Sequence, residues 1–399
     1  MINKISKFSL FSVSVFVFVF VFSVESFSGD RSGITSDEVR IGVLTTLSGP
    51  AAYIGRNTSY VTNTLVRSIN EKGGINGRKL KILTQDHAYN LTKTVAVAKY
   101  LISRYDVFGF LNTVAGPCNE VLFPLIMEEK IPNVPLTVTS SMFQPFKRYV
   151  FHAGLVGTDQ MQIMVDYIMK DLKAGNPRVA LFYWEDSYGK ECLKGLRKVA
   201  KSYGIEIVAA ESTKRGRVEF SAQAVNMKRA KPDFILGGSG APSLSVFLKE
   251  ARKIGLSSQF FADVGNVSIK ALTIAGDDGE GLLAISDKVM ESEDVPGMNE
   301  LKKITKKYEP DVKKIDPYYV WSWYNTVIFI EGLKRAGRNL TREGFVGALE
   351  SMKGFDTGLT GPVTFGPNRR KGIDSGKIYK ADIGNKRYIA ITGWRSVYQ

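Results

Sequence analysis

The stretch VRIGVLTTLSGPAAYIG (residues 39–55), read together with INEKGGINGRKLKI (69–82), decides the fold of this chain. Val39 to Leu44 is a short apolar strand that runs into the small-residue turn Ser48-Gly49-Pro50. Val61, Leu65, Val66 and Ile69 then recur at three- and four-residue spacing, which places them on one face of a helix. The turn from Glu71 to Gly77 delivers a second strand, Lys79 to Thr84. The result is one strand–helix–strand unit with room for a ligand in the turn after its first strand. Open α/β sheets bind ligands at that place, beside the C-terminal ends of their strands.

Working outward, the alternation continues. Lys93 to Arg104 reads as a helix, Val107 to Leu111 as a strand, and Asn112 to Pro117 as a polar loop. Glu120 to Glu129 is a helix and Asn133 to Thr137 a strand, ending in the hydroxyl cluster Thr137, Thr139, Ser140 and Ser141. Around Tyr149 to Gly157 the pattern begins afresh. Helices are expected at Gln160–Leu172, after the loop Glu185 to Gly189, at Ala222–Ala230 and from Leu244 to Ile254. Strands are expected at Arg178–Trp184, Ile205–Ala209, Asp233–Leu236 and Gln259–Ala262. Repeated β–α units of this kind specify mostly parallel sheets with helices on both faces. Two doubly wound, Rossmann-like α/β lobes follow.

After Gly281 the order changes to a strand near Leu282–Ile285, helices at Met298–Tyr308 and Tyr318–Ala336, and a β-rich tail. That tail contains Gly361–Phe365, Lys377–Ile383 and Tyr388–Ile391. The late helices imply a return to the first lobe and the tail a crossing back, so a multi-strand hinge joins the lobes. The expected boundaries are 37–151 plus 286–362 for the first lobe and 152–285 plus 363–399 for the second.

Residues 1–28 stand apart from this pattern. Lys4 and Lys7 precede an apolar and serine run, Phe8 to Phe22, followed by small polar residues. A basic start, a short apolar run and small residues after it describe a cleaved secretory signal, ending after Ser26 or Ser28. A retained membrane anchor would need roughly 18 or more apolar residues. The formal net charge of +15 invites a nucleic-acid reading. However, the basic residues lie scattered on helix faces, as in Lys194, Arg197, Lys198 and Lys201, and mix with acids elsewhere. Solvated faces account for them, and export removes the nucleic acid. The two cysteines, Cys118 and Cys192, fall in different lobes and are expected as independent thiols.

Catalytic and cofactor signatures are sparse. The only histidines are His87 and His152, in no metal-spaced cluster, and the cysteines form no CxxC pair. No GxSxG elbow occurs. Gly238-Ser-Gly240-Ala-Pro-Ser243 follows a strand, opens a helix and has Asp263 downstream, close to a dinucleotide fingerprint. It sits deep in the second half, though, and Pro242 suits an ordinary first helical turn. No cofactor is expected. The polar loops make better sense as binding groups, with Thr113, Ala115, Gly116, Thr137, Thr139 and Ser140 offering donors from one lobe. Tyr53, Tyr188 and Trp184 would supply apolar walls, and Asp263, Asp186 or Glu185 an acid for an ammonium.

These segments, with TQDHAYNLTKTVAVAKYLI (84–102), WEDSYGKECLKGLRKVAKSYGIEIV (184–208), ARKIGLSSQFFADVG (251–265), IAGDDGEGLL (274–283) and GLTGPVTFGPNRRKG (358–372), resemble the periplasmic leucine/isoleucine/valine-binding proteins of ABC transporters. The resemblance covers nearly all of the chain beyond the leader, in order. It implies a type I solute-binding fold with three hinge crossings and a ligand in the cleft. It implies carboxylate and ammonium contacts from loops matching Thr113–Gly116 and Thr137–Ser140, a tyrosine matching Tyr188, and an acid near Asp263 to Asn266. There are departures. The serine-rich first loop of branched-chain binders is Asn112-Thr-Val-Ala-Gly-Pro here, an aromatic-bearing loop is replaced by Gly238-Ser-Gly240, and Val61 replaces a helix glycine. Amides, urea or aromatic acids are therefore open as ligands beside leucine-like amino acids.

The expected function is that of an exported, periplasmic, monomeric solute-binding protein. It closes without chemistry on a small molecule and delivers it to the permease of an ABC importer. Two alternatives are a sensor that presents its closed form to a membrane receptor and a nucleotide-dependent two-lobed enzyme.

Overall fold

A computed structural model describes residues 32–49 and 51–397. The expected signal segment and Pro50 lie outside them. The first sheet contains β1 (Glu38–Thr45), β2 (Lys79–Asp86), β3 (Gly109–Val114) and β4 (Asn133–Leu136), all parallel, in the order β2-β1-β3-β4. Between them run α1 (Ala52–Glu71), α2 (Leu91–Tyr105), and the short α3 (Gly116–Glu120) and α4 (Phe123–Glu128). The second half supplies α5 (Gly157–Lys170), β5 (Arg178–Trp184), α6 (Ser187–Tyr203), β6 (Glu206–Thr213), α7 (Ser221–Ala230) and β7 (Phe234–Gly238). Next come α8 (Ser243–Lys253), β8 (Gln259–Ala262), α9 (Ile269–Ala275) and β9 (Leu283–Ser286). The C-terminal part adds α10 (Pro296–Tyr308), α11 (Pro317–Ala336), α12 (Arg342–Glu350), β10 (Ser375–Asp382), β11 (Arg387–Ala390) and β12 (Arg395–Ser396).

The second sheet runs β11-β10-β9-β8-β7-β5-β6, parallel from β5 to β9 and antiparallel where β10 joins β9 and β11. Two α/β lobes result. α11 is apolar around most of its girth and accordingly buried, packed on α1, β3 and β4 of the first sheet. Its α12 neighbour is held by Arg342, whose guanidinium donates to the carbonyls of Val107, Phe108 and Glu129.

Three differences from the sequence reading have local causes. The expected helix Glu120–Glu129 is two helices, because Pro124 has no N–H for the bond back to Glu120 and instead opens a new first turn. β3 continues through Asn112 and Thr113, which the sequence reading gave to a loop on polarity. Both are fully buried, and the Asn112 amide donates to Thr62, the Ser322 carbonyl and Thr326 at 3.0–3.1 Å. Gly361–Phe365 forms no strand. Val363 exchanges both backbone hydrogen bonds with Phe355 alone, as an isolated bridge.

The chain passes between the two sheets after β4, returns after β9 to pack α11 on the first sheet, and passes again before β10, and stretches of these passages lie side by side. His152 N–H donates to the Arg370 carbonyl, and Val289 N–H to the Leu359 carbonyl. Within this hinge Asp287 and Lys288 form an ion pair at 3.0 Å, with side chains 0% and 1% exposed. The Asp287 carboxylate also accepts from Leu155 N–H at 3.1 Å, and the Lys288 ammonium lies 4.8 Å from the centre of the Trp321 ring.

Candidate ligand-binding site

A cavity of about 120 Å³ lies between the two lobes, at the C-terminal ends of strands from both sheets. The first lobe contributes the start of α1 (Ala51, Ile54), Tyr89 after β2, Val114–Pro117 after β3 and Leu136–Thr139 after β4. The second contributes Trp184 and Tyr188 after β5, Arg215 after β6, Ser239–Ala241 after β7 and Gly265 after β8; Tyr318 and Trp321 of α11 close it. Strand ends leave room here because each chain turns sharply into its helix. Ala115 takes φ 77° before α3, and Gly116 sits where a Cβ would crowd Thr137 and Thr139 at 3.3 Å.

Hydrogen bonds cross the cleft around this cavity. Tyr318 donates its hydroxyl to the Gly265 carbonyl at 2.8 Å, and the Tyr53 hydroxyl approaches the Ala241 carbonyl at 3.5 Å. Ser140 donates N–H and hydroxyl to Glu191 at 2.8 Å, and Ser187 donates to Glu120 at 3.2 Å. Arg215 lies between the rings of Trp184 (3.7 Å) and, across the cleft, Tyr89 (5.3 Å). The lobes are therefore drawn together in this conformation.

Of the residues singled out from sequence, Ala115, Gly116, Thr137, Thr139 and Tyr188 line the cavity. Tyr53 stands just outside it, edge-on to Tyr318 with ring centres 5.7 Å apart. Thr113 is turned into the first lobe, where its hydroxyl donates to Asn133 at 3.2 Å. Ser140 faces Glu191 and a neighbouring groove. Asp263 is fully buried behind the wall, where its Oδ1 accepts from both the backbone and the side chain of Asn266 at 2.8 Å while its Oδ2 has no partner. The Gly238–Ser243 segment forms a β7-to-α8 turn and part of the cavity wall. Glu185 accepts from Ser212, and Asp186 caps α6 and pairs with Arg215. Sequence reasoning missed Arg215, Tyr89, Tyr318 and Trp321. Arg215 sits in a basic, exposed-looking stretch, and the two α11 aromatics read as ordinary core.

Burial pushes the Asp263 carboxyl up to about 7 and that of Asp316, at the N-terminus of α11, up to about 6. Burial likewise lowers His87 and His152 to about 4. The signs oppose. A carboxyl raised in the folded state binds its proton more tightly there, so stability falls as pH climbs from the unfolded value near 4 to about 7. The histidines make stability rise over much of the same window. The difference between proteins isolates one group. Asp263→Asn is expected to gain stability relative to the parent between pH 5 and 8, by on the order of 1 kcal/mol per pH unit below 7. Urea titrations at both pH values measure it, and a pH-independent difference excludes ionisation of Asp263 as the cause.

His87 Nδ1 and Cys118 Sγ lie 3.7 Å apart, a pairing that resembles a nucleophile with a base. Burial lowers the histidine and raises the thiol, so both stay neutral and the thiol is not activated. Cys118 and Cys192 are both free and buried. No group of three or more His, Cys, Asp or Glu residues suited to a metal occurs among the described residues. A larger groove of about 890 Å³ lies beside the cleft, lined by Lys190, Lys194 and Lys198 of α6 and by Arg369–Lys371. Its arginines and Lys371 are already paired with Asp159, Glu350 and Asp374. The smaller, aromatic-walled cavity is the better candidate.

A family model described as periplasmic binding protein matches residues 38–386. The chain belongs to this family. Its fold is the two-lobed type I form of periplasmic binding proteins. The Leu/Ile/Val/Thr-binding protein of Salmonella typhimurium is 24% identical over 294 residues, 72% of this chain and 77% of that protein. The leucine-specific-binding protein of the same organism is 25% identical over 301 residues, 74% and 78% of the two chains. Among solved structures, a branched chain amino acid ABC transporter protein from Thermus thermophilus with bound valine superposes with a TM-score of 0.82 at 23% identity, covering 91% of this chain and 97% of its own. A fatty acid ABC transporter substrate-binding protein from Thermomonospora curvata gives 0.82 at 22% identity, covering 92% and 94%. The family is one of solute-binding proteins, which work with ABC transporters.

Proposed function

We propose that this protein is the solute-binding component of an ABC importer, exported to the periplasm and acting there as a monomer. It closes on a small molecule in the interlobe cavity and passes it unaltered to a membrane permease. The observation that carries this reading is the cavity itself. It is walled by strand ends of both lobes and bounded by hydrogen bonds that exist only when the lobes meet. A ligand there touches both lobes at once and so favours the closed form by its differential affinity for the two states.

The lobes in this proposal are 37–151 plus 286–362 and 152–285 plus 363–399, supported by the packing of α11 on β3 and β4 and by the pairing of β10 with β9. Ala115, Gly116, Thr137, Thr139 and Tyr188 are proposed as ligand contacts, with Arg215, Tyr89, Trp184 and Trp321 beside them. Tyr53, Ser140 and Asp263 support the wall, and Thr113 ties β3 to β4. Export rests on the basic and apolar leader of residues 1–28.

The test is direct. Protein unfolded and refolded to strip bound solute is screened by thermal shift against amino acids, amides and organic acids, and hits are followed by small-angle scattering. A true solute raises the melting temperature and reduces the radius of gyration. Binding without compaction, or turnover of the compound, rejects the proposal.

A further inference from the structure

We propose, resting on the solute-binding reading above, that the ligand is a small organic acid without an ammonium group, its carboxylate held by the Arg215 guanidinium. Arg215 is the one charged side chain among the described residues that line the cavity. It is fixed rather than loose. Asp186 takes its Nε and Nη2 on a single oxygen, while the other carboxylate oxygen caps Gly189 N–H at 3.0 Å. Its plane rests 3.7 Å from the centre of the Trp184 ring, and the Trp184 indole is itself anchored to Ser243 at 3.1 Å. An arginine has five N–H donors, so this anchoring leaves a pre-positioned set for a second carboxylate.

The other uncommitted groups of the wall point the same way. The Trp321 indole N–H is buried without a partner, and an indole nitrogen only donates. The hydroxyls of Tyr89 and Thr137 line the cavity without a hydrogen bond to another described residue. By contrast, no carboxylate lines the cavity among the described residues to pair with an ammonium. The Gly265 carbonyl already accepts from Tyr318 and from Ala241 N–H, and Asp263 lies behind the wall, held by Asn266. An ammonium placed here would lose its water beside a guanidinium of like charge, which is unfavourable at short range. A cavity of about 150 Å³ suffices for benzene. The slightly smaller one here suits a short branched chain or a single ring, flanked by Tyr89, Trp184 and Tyr318.

Calorimetric titration of the refolded protein with matched probes decides the matter: 4-methylpentanoate, its amide and leucine, then benzoate and benzamide. The acids are expected to bind, with the matching amide and leucine weaker by roughly tenfold or more, as for the loss of a charge-assisted hydrogen bond. Arg215→Ala should weaken acid binding by about 10- to 100-fold, and Arg215→Lys, which keeps the charge but not the fork, by less. Circular dichroism establishes that both variants fold. Leucine or an amide binding as well as the acid overturns the proposal, and so does unchanged acid affinity in folded Arg215→Ala. If amino acids close the lobes and acids do not, this inference fails while the solute-binding reading stands. Silence from acids, amides and amino acids alike removes both.

Discussion

Lys288→Met is expected to destabilise the protein by about 3–5 kcal/mol, the cost of leaving a buried charge without its partner. The pair it breaks is almost wholly enclosed, with Asp287 0% and Lys288 1% exposed, and it lies where two passages of the hinge meet. A long apolar side chain fills the space over Trp321 but leaves the Asp287 carboxylate, among the described residues, with the Leu155 N–H and a distant Tyr324 hydroxyl at 3.4 Å. Adding Asp287→Asn should recover most of the loss, because the remaining polar group is then neutral and still an acceptor. Urea unfolding of the four proteins in a double-mutant cycle measures the coupling. If Lys288→Met costs under about 1 kcal/mol, the pair is wetter than its burial indicates, as exposed pairs are worth little.

Gly240→Val is expected to reduce solute affinity by roughly 100-fold or more, since the new side chain or the displaced Trp184 ring fills the cavity and removes the ligand's own contacts. A Cβ at Gly240 would lie 2.3 Å from the Trp184 ring, so that ring must leave its place against Arg215 or the side chain must enter the cavity. The loop itself has no positive φ at this position that only glycine could supply. Gly240 and Trp184 lie at the ends of neighbouring strands of the same sheet, so the clash persists when the lobes part. The variant is expected to lose about 1–3 kcal/mol of stability as well, and circular dichroism establishes that it folds. Calorimetry with whichever solute shifts the parent protein measures the loss. Parent-like affinity in the folded variant would move the binding site away from this cavity.

Fold and site were legible to different depths for physical reasons. Val39–Leu44 and Val61–Ile69 announced their elements because apolar periodicity is a local signal, and the parallel sheet follows from its repetition. Asn112 and Thr113 were misplaced because polarity speaks for a loop unless a distant partner satisfies it. Those partners, Thr62, Ser322, Thr326 and Asn133, come from three other elements. Pro124 did carry its message, a break in the helix, but the apolar spacing around it masked that message. The strand-end loops were readable as a binding surface, hence Thr137, Thr139 and Tyr188. Arg215 was not readable. What marks it out is its position between Tyr89 and Trp184, residues 126 and 31 positions upstream, and no spacing along the chain encodes that.

The route of the C-terminal part has a consequence for how the molecule comes into being. α11 and α12 complete the packing on β3 and β4, while β10 supplies the edge partner of β9. A chain emerging from the ribosome thus carries a first sheet without its covering helices α11 and α12 and a second sheet without its antiparallel edge until its last fifth is being made. Contacts of such long sequence separation also fold slowly. Both halves mature together and late, and a nascent polypeptide truncated before residue 317 owns neither.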